Sequence, residues 1–212
     1  LRVLPDEVKV VLEAVRNDVV ELHCRWRAFN EIYADSNGVA LINHTAPGFF
    51  SFVYDAALTE LISAIARKTE SRKDTLNFNQ LARLLEKHGF KMLAKRINAR
   101  VNKLRPSHKG KDFVKRRDPI TYYRHNRAAH TNLEIRTNPK SKPLPDLKID
   151  KFEMALRLFR EMVEIVDSAF GINPVRYENL NLDAGRLLVS LELAKEVSDS
   201  RHFGEILQML HD

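Results

Sequence analysis

A lone cysteine, Cys24, excludes an internal disulfide and a cysteine-built zinc site in this chain of 212 residues. It predicts a reducing, cytoplasmic setting. Glycine and proline are also scarce, at seven and eight, which disfavours a turn-dense β-sandwich. There is no glycine-rich phosphate loop, no G-x-S-x-G elbow and no H-E-x-x-H pair. His125 and His130 are five residues apart and fall on different sides of a helix, with no acidic cluster beside them. Neither a bound metal nor a cofactor is expected.

Long apolar runs are nearly absent as well. The longest uncharged stretch, Ser36 to Tyr54, has 19 residues, but Asn37, Gly38, Asn43, His44, Pro47 and Gly48 interrupt it. Hydrocarbon penalises such groups, so the stretch reads as a loop feeding a buried helix and no membrane segment is expected.

What is present is apolar spacing of three and four. Val8, Val11, Leu12, Val15, Val19, Leu22, Trp26, Phe29 and Tyr33 predict a long amphipathic helix over about 5–33, with Trp26 in the core. Asp35-Ser36-Asn37-Gly38 reads as a turn, followed by a short apolar stretch from Val39 to Ile42. A helix over about 46–68 is apolar most of the way round, from Phe49 to Ile65, and should be the most buried one. Two more span about 79–104, separated at His88-Gly89, with Leu93, Ile97, Val101 and Leu104 as the inner face of the second. Asp118-Pro119 caps a helix over about 119–135. Asp150 and Glu153 open another over about 150–170, and C-terminal helices occupy about 181–210. The expected fold is all-α: a single-domain bundle of about six or seven helices covering the whole chain.

The charge is uneven. Between Arg83 and Arg127 there are 15 basic and three acidic residues, a net +12, against 20 basic and 25 acidic elsewhere, a net −5. A basic block on an otherwise acidic protein suits a polyanion, most often nucleic acid. Arg96, Arg100 and Lys103 form a stripe at helical spacing, and Lys115, Arg116 and Arg117 follow in a loop. Tyr122 and Tyr123 come next and suit the stacking of an unpaired base, although core packing suits one of them equally well. Arg124, His125, Asn126, Arg127 and His130 then add cations and imidazoles beside the loop. On an ideal helix Arg124 and His130 lie about 120° apart with about 9 Å of rise between them. They converge only if the arginine lies along the helix or a partner chain supplies one of them.

The segment Arg124-His125-Asn126-Arg127-Ala128-Ala129-His130 resembles the R-x(4–6)-H signature of the HEPN superfamily, in the Ala-His form of the abortive-infection Abi-U branch. Trp26 with Phe29, Val39 to Asn43, Pro47 to Ala57, Ala64 to Glu70 and Asn77 to Leu81 resemble that branch in order and spacing. Coverage is roughly Trp26 to His130. Glu70 stands where the branch would carry Asp, and His125 where Asn or Asp is more usual.

The resemblance implies a helical bundle, often a homodimer in which two motifs form one composite site. It also implies a metal-independent ribonuclease of toxin–antitoxin or antiviral defence systems. Arg124 and His130 would be the catalytic pair with Asn126 as orienting group, and the partners would be single-stranded or looped RNA and an antitoxin protein. Two other classes stay open: a HEPN module that binds RNA or nucleotide without cutting it, and a helical module whose basic face meets an acidic protein.

Overall fold

The computed structural model describes residues 3–72, 74–104, 149–180 and 182–199. Among the described residues there are seven α-helices and no strand, so the all-α expectation holds. They are α1 (Asp6–Tyr33), α2 (Ser36–Thr45), α3 (Pro47–Thr69), α4 (Phe78–Lys87), α5 (Lys91–Leu104), α6 (Ile149–Phe170) and α7 (Ala184–Asp199), with a 3-10 turn at Tyr177–Asn179. The helix expected over 119–135, and the part beyond residue 199 of the C-terminal helices expected over 181–210, lie outside the described residues. The chain forms two compact units, Leu1–His23 with Thr59–Glu178, and Cys24–Leu58 with Asn179–Asp212.

In the first unit the seam of α1 is buried as its spacing predicts, at Val8, Leu12, Val15, Val19 and Leu22. Phe78 of α4 and Phe159 of α6 are fully buried, with ring centroids 5.3 Å apart. α4 starts at Asn77, whose side chain accepts a hydrogen bond from the Gln80 amide at 2.9 Å. The Asn77 amide also donates to Thr75 Oγ1 at 2.7 Å and to the Arg72 carbonyl at 3.1 Å. Replacing this fully buried cap, Asn77→Ala, should cost about 1–2 kcal/mol of stability, read as a lower urea midpoint.

α4 and α5 are joined by a tight corner. Gly89 takes φ +85° there, and the Phe90 amide donates back to the Leu85 carbonyl at 2.8 Å. That is a glycine C-cap, and a side chain at position 89 would strain it. The inner face of α5 is Ala94, Ile97 and Val101. Leu93 and Leu104, expected on that face, are only half-buried, and Ala94 takes a buried place on it. α6 is described from Ile149, and Asp150 lies in its first turn. A carboxylate there complements the helix dipole.

The second unit is built on rings. Phe29 lies 5.1 Å from Tyr33 and 5.3 Å from Tyr54, and Trp26 stacks on it at 5.9 Å. The Tyr33 hydroxyl donates to the Phe50 carbonyl at 3.1 Å. Trp26 is buried, as expected. The stretch read as a loop is α2. Its Asp35 is not a turn residue but an N-cap that accepts from the Gly38 amide at 3.0 Å. Gly38 lets α2 approach closely, since a Cβ there would stand 3.1 Å from the Ile32 carbonyl and 3.3 Å from Leu188 Cδ1.

α3 departs from the expectation of uniform burial. Its second half supplies core at Leu61, Ile62 and Ile65, whereas Phe49 and Phe52 are 61% and 70% exposed. α6 is the most fully buried helix instead, with ten buried positions in 22 residues. By length and composition α3 is, among the described residues, the one helix apolar enough to cross a membrane, with 39% of its apolar window buried. It shows no clear membrane span: Asp55, Glu60, Arg67 and Lys68 lie along it.

Candidate nucleic-acid interface

α5 carries Lys91, Lys95, Arg96, Arg100 and Lys103 and no carboxylate. A helix whose apolar positions recur at Ala94, Ile97 and Val101 leaves its remaining face for polar groups, and here nearly all of them are cations or amides. Of the three expected stripe residues, Arg96 and Lys103 are exposed. Arg100 is half-buried, and its Nε donates to Glu161 Oε2 on α6 at 2.8 Å. Its charge is therefore largely committed within the protein, and its Nη1 also donates to the Arg96 carbonyl at 3.3 Å. Lys91 and Lys95 are exposed on the same helix. Sequence reasoning passed over these two, although their spacing of four was a legible signal.

The other expected site residues lie outside the described residues: Lys115, Arg116, Arg117, Tyr122, Tyr123, Arg124, His125, Asn126, Arg127 and His130.

A second polar cluster lies in the first unit, where α1, α6 and the segment after α6 meet. Asp167, only 1% exposed, has Oδ2 3.1 Å from Arg16 Nη2. The angle is poor for a hydrogen bond, and neither carboxylate oxygen accepts one from a described residue. Arg16 Nη2 also donates to the Asn173 carbonyl. Burial, opposed by Arg16 and helped by Glu164, pushes the Asp167 carboxyl above its ordinary range. Tyr177 is buried with its ring 4.5 Å from that of His23 and 6.0 Å from the Arg160 guanidinium. Burial and then the Asp167 charge push its hydroxyl up to about 12.

His23 is lowered to about 4, chiefly by burial, with a hydrogen bond to the Leu156 backbone opposing and the Arg160 charge adding to the shift. The sign is definite. Above 6.5 the imidazole is neutral folded or unfolded, and stability does not depend on it. As pH falls from 6.5 toward 4 the unfolded chain takes the proton first, so folding is progressively disfavoured. The expected loss is about 2 kcal/mol, after allowance for the partly exposed ring. Asp167 works in the opposite direction on acidification, so the contribution of His23 is read by difference. His23→Gln should lose less stability than wild type between neutral pH and the low end of that window, measured by thermal unfolding.

Among the described residues the protein is helical and strand-free, with one cationic helix that carries no carboxylate, which defines an all-α class that the comparison with known families narrows. The HEPN family AbiU2 matches residues 5–181, and the chain belongs to that family. The match takes in α1 through α6 and also the stretch holding Arg124 and His130. No curated protein and no solved structure matches the chain.

Proposed function

We propose that this protein is a metal-independent endoribonuclease of the HEPN defence type. The observation that carries the reading is the AbiU2 family match over residues 5–181, which includes the Arg124–His130 motif. The cationic face of α5 supports it.

RNA holds its own nucleophile, so the protein must manage only protons and charge. The 2′-hydroxyl loses its proton to the imidazole of His130, and the 2′-oxygen forms a bond to the adjacent phosphorus. The P–O5′ bond breaks, and the leaving oxygen picks up a proton as a 5′-hydroxyl. A 2′,3′-cyclic phosphate remains on the other fragment. Arg124 stabilises the extra negative charge on the pentacoordinate phosphorus, and Asn126 orients the imidazole or a phosphate oxygen. Lys115, Arg116, Arg117 and the α5 cations hold the backbone, while Tyr122 or Tyr123 stacks an unpaired base. His125 and Arg127 add contacts to the same strand. Two copies of the chain bring Arg124 of one motif toward His130 of the other, in keeping with the separation of the two on an ideal helix. An antitoxin protein that covers this face would hold the activity in check.

The test is substrate chemistry. An RNA strand is cleaved, and the same sequence with 2′-methoxy groups or as DNA is not. Cleavage of the DNA strand, which lacks the internal nucleophile, would overturn the mechanism.

A further inference from the structure

At the α4–α5 corner there is a cavity of about 330 Å³ lined by Gly89, Phe90, Lys91, Met92, Leu93, Ala169 and Phe170. Its aromatic wall is the pair Phe90–Phe170, centroids 5.0 Å apart and edge-on at 78°. Both rings belong to half-buried residues that line the cavity, and Met92, also in the lining, is 70% exposed. Lys91 lines this cavity and begins a row along α5: Lys91, Lys95, Asn98 and Asn102, all exposed. These positions recur at steps of four, three and four, so they share one face of the helix. Arg96 and Lys103 flank them, also exposed.

We propose that this cavity is a base-binding subsite for single-stranded RNA whose backbone runs along the Lys91–Asn102 row. The inference rests on the RNA-directed reading above and adds to it a place on the protein and a strandedness. An apolar cavity with aromatic edges accepts the face of one unpaired base, which a duplex keeps stacked and hidden. From Lys91 to Lys103 the helix rises about 18 Å, and one turn of about 5.4 Å is close to the spacing of successive phosphates in a single strand. Cations and amide donors at one per turn therefore meet consecutive phosphates and riboses. No carboxylate on α5 opposes them.

The test uses the full chain carrying Arg124→Ala/His130→Ala, so that bound RNA stays intact, and a short single-stranded RNA with one 2-aminopurine. Binding is expected to quench the 2-aminopurine. Lys91→Gln/Lys95→Gln should weaken binding about tenfold and lower the salt slope by about 1.4. Lys195→Gln, a cation on α7, should change neither. Phe170→Leu should remove the quenching and weaken binding about fivefold with the salt slope unchanged. Because Phe170 also packs on Phe90, Ala169→Leu serves as a second variant: it fills the cavity from an exposed position with an aliphatic side chain that offers no stacking ring, and should have the same effect. Quenching that persists in both pocket variants, or a duplex bound as tightly as the single strand, would overturn the subsite. Wild-type cleavage with every α5 variant binding normally would sink this inference and leave the ribonuclease reading standing. Binding that depends on α5, with no RNA cleaved by wild type, would do the reverse.

Discussion

His130→Ala should lower the rate of RNA cleavage about 10²–10⁴-fold, the span usual for loss of a general acid or base. Arg124→Ala should lower it about 10²–10³-fold, as for removal of one group that stabilises developing charge. In the proposed mechanism the two act on one transition state, so the double variant should be little slower than the slower single one. Arg124→Lys keeps the charge but not the planar fork of donors, and should recover only part of the loss. All four proteins should bind RNA within a few-fold of each other, because the proposed backbone contacts lie elsewhere on the basic segment. Single-turnover cleavage of a labelled RNA, alongside a binding titration, separates these effects. A variant that loses binding and cleavage together would assign its residue to RNA binding rather than to chemistry.

Stability should depend most sharply on the buried pair of Arg16 and Asp167. Arg16→Ala leaves the Asp167 carboxylate, 1% exposed, without its neighbouring charge. Loss of one partner from such a pair costs about 3–5 kcal/mol. It also frees the Asn173 carbonyl, which Arg16 tethers. Replacing both partners, as Arg16→Met/Asp167→Leu, should cost distinctly less, since no uncompensated charge is left behind. A pH signature identifies the cause. Asp167 is already raised by burial, and removing Arg16 removes the group that opposes the rise. A carboxyl raised in the folded state destabilises folding when ionised and stops doing so as acid protonates it. The deficit of Arg16→Ala relative to wild type should therefore shrink as pH falls toward the carboxylate range, as followed by urea midpoints. A deficit independent of pH would point to lost packing of the arginine stem instead.

Local patterns carried much of the fold. The α1 seam, the break at His88-Gly89 and the apolar face of α6 are set by neighbours within a turn or two, and all three read directly from spacing. The failure at α2 has a specific cause. Asp, Ser, Asn and Gly serve both turns and helix starts, and only the approach of Gly38 to Ile32 and Leu188 distinguishes the second use. Burial along α3 was not legible, because its composition is apolar on every side while only part of it meets a core. Arg100 looked like one cation of a stripe until the fold placed Glu161, 61 residues on, beside it. His23 is harder still. It sits between Leu22 and Trp26 as a polar residue on an amphipathic helix, and its companions Asp167 and Tyr177 come from the far end of the chain. The pair at the heart of the proposed chemistry was legible as a motif, but Arg124 and His130 lie outside the described residues.

The most direct measurement is cleavage of total RNA and tRNA in EDTA by wild type and by Arg124→Ala/His130→Ala, with the fragment ends analysed. The expected result is cutting by wild type alone, leaving 2′,3′-cyclic phosphate and 5′-hydroxyl ends. Cleavage abolished by EDTA, 3′-hydroxyl ends, or equal cutting by both proteins would contradict a metal-independent ribonuclease built on Arg124 and His130. No cutting by either folded protein would leave the family assignment standing and move the functional reading toward a module that binds without cleaving.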